Sequence, residues 1–161
     1  MDATPTAHRR AVGIDLRRNW PEALRRLGFD ASKPTVWIAE GLLIGFLTSA
    51  EQDRLLDMVT AFSASGSRAA ADYFPERQPP MLSHEHQLVK RWRRLGYLTD
   101  TAELTYPDEH HDPTESLAAL GWRTVVTDIQ KLFTATGLPG LRRQDLKGAP
   151  VVGRYVRAVY T

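Results

Sequence analysis

Apolar positions along the chain follow two different periods. The run Thr35–Ala39 is nearly continuous in apolar residues, which is typical of a strand covered on both faces. Between Leu55 and Phe62, apolar residues recur at helical spacing behind a capping-box pattern that begins at Thr48. The first pattern predicts a central strand, and the second predicts a helix over about Ser49–Ala64.

Similar patterns predict the remaining elements, which gives the order β-α-β-α-β-α-α-β-α-β. The other predicted strands are Ala11–Ile14, Arg68–Phe74, Trp122–Thr127 and Val151–Tyr160. The other predicted helices are Trp20–Leu27, Leu82–Leu95, Pro113–Leu120 and one that Asp128 caps and Gly137 ends. Such alternation is typical of an α/β fold with a mostly parallel sheet. We therefore predict a single α/β domain over residues 1–161, with a lid-like insertion at about 75–112.

Composition limits the functional classes without selecting one. The chain has 161 residues, 42% of them hydrophobic, which suits one domain with its own core. The net charge of +2 comes from scattered arginines and does not indicate nucleic-acid binding. Cysteine is absent, which excludes disulfides and thiolate chemistry. No apolar run approaches the roughly 18 residues of a membrane span, so we expect a soluble, cytoplasmic protein with no membrane partner.

Two acidic residues follow predicted strands. Asp15 follows Ala11–Ile14, and Glu40 follows Thr35–Ala39. Ligands of open parallel sheets bind outside the carboxyl ends of the strands, so both carboxylates would face one crevice and accept hydrogen bonds from ligand hydroxyl or amino groups. Each acid also has a purely structural interpretation, as a helix cap or a loop acceptor. No G-x-G segment, the usual partner of such a crevice, occurs in the 161 residues.

Patterns that could indicate a metal site or a hydrolase site are weaker than the two strand-end acids. His110 and His111 lie among acids in one loop, namely Asp108, Glu109 and Asp112. Adjacent histidines seldom point the same way, so no metal site is predicted there. His84 and His86 open a predicted helix, where residues two apart do not face each other. A serine hydrolase is disfavoured because the chain has no G-x-S-x-G motif.

A set of longer runs carries a family resemblance. The runs are Val12–Arg17, Asn19–Leu24, Trp37–Leu43, Gln52–Leu56, Tyr106–Glu109, Leu117–Trp122 and Val156–Val159. In this order they resemble the S-adenosylmethionine-dependent methyltransferases of the leucine carboxyl methyltransferase group. The resemblance extends over nearly the whole chain and is far more specific than a lone glycine pattern.

The resemblance implies a partial class I methyltransferase sheet of the Rossmann-like kind, mostly parallel with a C-terminal antiparallel strand. The strand order of that class is 3-2-1-4-5-7-6, and this chain would supply strands 3 to 7 and lack the first two. The cofactor implied is S-adenosyl-L-methionine. Asp15 matches the acid that accepts from the adenine amino group, and Leu16 matches the residue that packs on the adenine ring. Glu40 and Gly41 match positions near the methionine portion. The family's glycine-rich loop and its ribose-binding acid do not precede Met1.

The implied activity is methyl transfer, most simply to a carboxylate oxygen, since a carboxylate acceptor needs no general base. No catalytic residue is predicted. The methyl acceptor, a small molecule or a carboxylate, is unknown. The alternative is an inactive remnant that serves as a binding or oligomerisation module. We expect the strand containing Ile14 to pair directly with the strand containing Ile38. Otherwise an exposed sheet edge would favour a homo-oligomer.

Overall fold

The structure is a computed structural model that describes residues 6–74, 89–96, 104–106, 110–140 and 153–161. Its strands are β1 (Val36–Leu43), β2 (Arg68–Tyr73), β3 (Trp122–Asp128) and β4 (Arg154–Tyr160). Its helices are α1 (Trp20–Arg26), α2 (Ser49–Ala61), α3 (89–94), α4 (Pro113–Ala119) and α5 (Ile129–Ala135). The predicted segments 82–88 and 151–152 and most of the predicted lid at 75–112 lie outside the described residues.

The four strands form one open sheet in the order β1-β2-β4-β3. β1 and β2 are parallel, whereas β4 runs antiparallel to both β2 and β3. Three strands therefore share one direction and the C-terminal strand opposes them. The predicted α/β class and antiparallel last strand are confirmed, and the order agrees with the 4-5-7-6 part of the expected sheet.

The predicted strand Ala11–Ile14 is wrong, because residues 8–15 form no strand. The expected pairing of Ile14 with Ile38 is therefore absent as well. Pairing four residues would add few ladder hydrogen bonds for the chain entropy lost. The segment lies along α1 instead, where the Arg10 guanidinium donates to the Leu27 carbonyl.

Local signals account for the ends of the helices. The Thr48 hydroxyl accepts from the Glu51 N–H, and the Glu51 carboxylate accepts in turn from the Thr48 N–H at 2.9 Å, so the predicted capping box of α2 is present. The Asp112 carboxylate accepts from the Thr114 N–H at 2.7 Å, ahead of a proline at the first turn of α4. These contacts lie within a few residues of each other, which is why sequence alone predicts them.

One face of the sheet carries the core. Leu55 and Leu56 of α2 and Leu117 of α4 belong to the same buried cluster as Ala71, Tyr73, Trp122 and Val156 of the sheet. A side-chain hydrogen bond also joins α2 to the sheet, because the indole N–H of Trp122 donates to the Thr60 hydroxyl at 2.8 Å. This packing fixes the carboxyl ends of β1 and β2 relative to α2.

The opposite face is apolar and open at β1 and β3. Val36 is 65% exposed, Ile38 is 67% exposed and Val125 is 53% exposed. β1 was predicted as a central strand, yet it lies at an edge of the described sheet, so that prediction is wrong for this structure. The apolar sequence of β1 is thus typical of a central strand, whereas its position is that of an edge strand.

Candidate functional site

The carboxyl end of β1 is irregular and is tied to the end of β2. The pairing register shifts between Ala39 and Leu43. Within this bulge Gly41 has φ +64°, a left-handed conformation that favours glycine. Its N–H donates to Asp72 Oδ1 at 2.6 Å. The two strand ends are therefore joined through one carboxylate.

Asp15 and Leu16 face an open cavity of about 490 Å³ beside these strand ends. Its wall includes Leu42, which lies within the bulge, together with Phe46 and Tyr106. Glu40 and Gly41 are exposed and adjacent in sequence to Leu42 but do not line this cavity. Of the predicted site residues, Asp15 and Leu16 therefore line the cavity, whereas Glu40 and Gly41 precede the lining residue Leu42 in sequence.

The Asp15 carboxylate already has a strong partner. Its Oδ1 accepts from the Arg17 N–H and from Arg17 Nε, each at 2.9 Å. Its Oδ2 accepts from Arg17 Nη2 at 2.7 Å and from Nε at 3.1 Å. A carboxylate offers about four lone-pair positions, and three N–H groups of Arg17 occupy most of them, because its Nε–H is shared between the two oxygens.

The same contacts set the charge of the pair. Hydrogen bonds from the Arg17 side chain, and then from its backbone, lower the pKa of Asp15 to about 2. The pKa of Arg17 is raised above its ordinary value, first by the hydrogen bond to Asp15. Both groups are therefore charged at neutral pH. A ligand amino group would find an ionised acceptor there and would compete with Arg17 for it.

The far wall of the cavity comes from a distant part of the chain. The Tyr106 N–H donates to the Gly45 carbonyl at 2.8 Å, which fastens residues 104–106 to the loop after β1. Leu104, Phe46 and Leu16 add apolar surface around the Asp15 carboxylate. An apolar wall next to one strong acceptor suits a flat heterocycle that carries an amino group.

Sequence reasoning missed two residues of this site. Asp72 lies near the carboxyl end of its strand, so the rule that selected Glu40 would have selected it too. Arg17 has no comparable signal, because its pairing with Asp15 depends on the tight turn in which the Arg18 N–H donates to the Asp15 carbonyl at 2.9 Å. The residues expected to form a strand before Asp15 are irregular, and Asp15 begins a turn.

The two histidines near α2 have separate partners. His110 Nε2 lies 2.7 Å from the Leu47 carbonyl oxygen, and His111 Nδ1 lies 2.7 Å from Asp53 Oδ2. The Gln52 side-chain amide donates to the His111 carbonyl at 2.8 Å. These bonds hold residues 110–112 against α2. Within the described ranges, no group of three or more His, Cys, Asp or Glu side chains is arranged to bind a metal ion.

The fold and the cavity define an α/β protein with an open cavity beside the carboxyl ends of its parallel strands. Comparison with known proteins narrows this class. Residues 1–60 match the family model of leucine carboxyl methyltransferase. Over these residues the chain is similar to that family, and the resemblance found in its sequence is confirmed.

Curated relatives agree with the family match. A protein of Mycobacterium avium (strain 104) is 49% identical over 158 residues, which cover 98% of this chain and 53% of that protein. Relatives from Mycobacterium marinum and Frankia alni are 44% and 42% identical, and in each the match covers 99% of this chain and 52% of the relative. The relatives are named "Putative S-adenosyl-L-methionine-dependent methyltransferase". The chain spans about half the length of the curated relatives it matches.

One further finding concerns membranes. In the part of the chain that the structure describes, no helix has the length and apolar character needed to cross a bilayer.

Proposed function

We propose that this chain forms the adenine-side half of an S-adenosyl-L-methionine site in a methyltransferase. The observation that carries the proposal is the placement of Asp15 and Leu16 in one cavity with Phe46 and Tyr106. In this assignment the Asp15 carboxylate accepts from the adenine amino group and Leu16 packs on the ring. The family match of residues 1–60, which include both residues, supports it.

The described residues fit one end of this cofactor. An ionised acceptor and an apolar wall suit adenine, whereas the site offers no glycine-rich backbone for the rest of the molecule. Glu40 and Gly41 lie at the border of the cavity and are assigned to the side of the methionine portion. The bond from Gly41 to Asp72 holds that border in place.

Arg17 is a positioning residue in this proposal. Because it occupies most of the lone-pair positions of Asp15, Arg17 competes with adenine, and adenine binding is strongest when Arg17 swings away from at least one carboxylate oxygen. Its guanidinium is half-exposed, so this movement exchanges a surface ion pair for hydration and costs little. Asp15 stays ionised throughout, since its pKa lies far below neutral pH.

We propose a carboxylate as the methyl acceptor. When bound, the cofactor would supply an electrophilic sulfonium methyl group to a carboxylate oxygen, and the electron pair of the broken S–CH3 bond would remain on sulfur. An ionised carboxylate has no proton to lose, so no general base would be needed. The work left to the protein is alignment of the two reactants in a site from which water is excluded. Residues that bind, orient and shield are sufficient for that task, so the proposal assigns no proton-transferring side chain.

A second candidate is a non-enzymatic binding module. The observation that favours it is the exposed apolar edge of the sheet at Val36 and Ile38, which offers a surface for another polypeptide. Cofactor binding separates the two candidates.

Titration calorimetry with S-adenosyl-L-methionine tests the first proposal. We expect binding to the wild-type chain and a loss of at least about tenfold in affinity for Asp15→Ala, because the adenine acceptor is removed. Asp30→Ala is the matched control, since Asp30 is also an exposed acid that accepts from a backbone N–H two residues later, that of Ser32. Unchanged affinity in Asp15→Ala, or an equal loss in the control, would refute the assignment of Asp15.

A further inference from the structure

Two hydrogen bonds tie a later segment of the chain to the loop that follows β1. The Tyr106 N–H donates to the Gly45 carbonyl at 2.8 Å, and His110 Nε2 lies 2.7 Å from the Leu47 carbonyl oxygen. A carbonyl oxygen can only accept, so His110 carries a proton on Nε2 and donates it to Leu47. Both acceptors belong to one short loop, so the two bonds hold this loop and the later segment together.

The joined segments form most of one wall of the cavity beside Asp15. Five of its lining residues come from them, namely Phe46, Leu47, Leu104, Thr105 and Tyr106. Leu47 is only 7% exposed and belongs to the buried core, so it is a firm point of attachment. Since His110 and Leu47 are 63 positions apart in sequence, the bond between them fixes this wall through tertiary structure.

The neighbouring histidine makes its contacts away from the cavity. His111 Nδ1 lies 2.7 Å from Asp53 Oδ2 on α2, and neither residue lines the cavity. Both side chains are accessible to solvent, so this pair adds little to stability. The Gln52 side chain, 2% exposed, separately donates to the His111 carbonyl at 2.8 Å. The segment therefore stays attached to α2 when the His111 side chain is changed, whereas the side-chain bond to the cavity loop needs His110.

We propose that His110 is a positioning residue of the cofactor site, an inference that rests on the function proposed above. Its bond to Leu47 keeps Phe46 and Tyr106 in the wall of the cavity, so the wall is in place when adenine binds. His110 does not itself line the cavity and acts only through this wall. When a wall must first be ordered, the apparent affinity falls with the fraction of molecules in the ordered state.

Loss of this bond should weaken cofactor binding by a measurable factor. The backbone bond from Tyr106 to Gly45 would still join the two segments. The wall would therefore open more often without detaching, as is typical of a loop with few remaining contacts. The net contribution of one hydrogen bond corresponds to about a three- to tenfold change in the equilibrium between the closed and the open wall.

Titration calorimetry with S-adenosyl-L-methionine tests this role in variants of the full chain. His110→Ala removes the donor and should bind the cofactor about three- to tenfold more weakly than wild type. His110→Asn should do the same, because its amide nitrogen replaces Nδ1 and does not reach Leu47; it provides the same test should His110→Ala fail to fold. His110→Gln places its amide nitrogen at the position of Nε2 and should restore most of the affinity. His111→Ala is the matched control and should bind like wild type.

Hydrogen exchange without cofactor measures the wall itself. The Tyr106 amide should exchange about three- to tenfold faster in His110→Ala than in wild type, and at the wild-type rate in His110→Gln and His111→Ala. Because this measurement contains no cofactor, it separates the two proposals. If the wild-type chain did not bind S-adenosyl-L-methionine, the proposed function would fail and the cofactor role of His110 with it. The exchange rates would still decide whether His110 holds the wall.

Three results would overturn the proposal. One is wild-type affinity in both His110→Ala and His110→Asn, which, together with a lower Tm, would give His110 a purely structural role. Another is an equal loss of affinity in His111→Ala, since the effect would then come from a general loosening of the segment. The third is exchange of the Tyr106 amide at the wild-type rate in both His110→Ala and His110→Asn.

Discussion

The hydrogen bond between Gly41 and Asp72 supports the strand ends that border the proposed cofactor cavity, and its removal gives a measurable prediction. Asp72→Ala deletes the acceptor of the Gly41 N–H, a contact of 2.6 Å. The bulge of β1 would then lose its link to the carboxyl end of β2. We expect the chain to remain folded with a looser site border.

The magnitude follows from the type of bond and its exposure. Hydrogen bonds to charged groups contribute about 1.5–3 kcal/mol net. Gly41 is exposed, so water replaces part of the lost bond and the expected loss in free energy of unfolding is about 1–1.5 kcal/mol. For a domain of this size that corresponds to a decrease in Tm of roughly 2–6 °C.

The assay combines thermal unfolding with hydrogen exchange of the Gly41 amide. Because about 1.4 kcal/mol corresponds to a factor of ten, exchange at this amide should accelerate by up to about tenfold. Asp72→Asn is the control, since its amide oxygen still accepts from Gly41 and most of the protection should remain. Equal exchange at Gly41 in wild-type and Asp72→Ala protein would refute the reasoning.

Three further predictions concern the site and its support. Arg17→Ala should tighten S-adenosyl-L-methionine binding several-fold in calorimetry, because Asp15 regains its lone pairs; weaker binding would contradict the proposed competition. In NMR titration the pKa of Asp15, about 2, should return toward the ordinary aspartate value of 3.8 in that variant. Because folding lowers this pKa, the pair stabilises the wild type above about pH 4, and the contribution disappears as pH falls toward 2. Thr60→Val should lower the free energy of unfolding by about 1–3 kcal/mol, since the buried Trp122 N–H loses its acceptor. The exposed Thr134→Val, which loses a similar hydroxyl bond within α5, should change it far less.

Local features of the fold could be predicted from sequence with close boundaries. The capping box at Thr48 and the Asp112 cap with its proline predict the starts of α2 and α4, because all the interacting atoms lie within one turn. The C-terminal strand could be predicted from its β-branched and aromatic residues. Its antiparallel direction followed from the family resemblance.

The candidate site could be predicted only in part. Asp15 and Leu16 were identified as strand-end residues, yet they line a cavity from a turn, so the predicted strand is wrong and their role in cofactor binding stays a prediction. Arg17 and Asp72 were missed. Their roles depend on side-chain geometry and on contact between residues far apart in sequence, as in the bond from Gly41 to Asp72.

Sequence alone determined the class of fold and the helices whose ends are set by neighbouring residues, since these depend on periodicity and short-range hydrogen bonds. It also provided the family resemblance, which rests on runs of several residues in order. Only the tertiary structure placed β1 at an edge and showed that Arg17 occupies most of the acceptor positions of Asp15. A central-strand pattern specifies that a segment is apolar on both faces. It does not specify which strand lies beside it, because pairing is decided by contacts between distant parts of the chain.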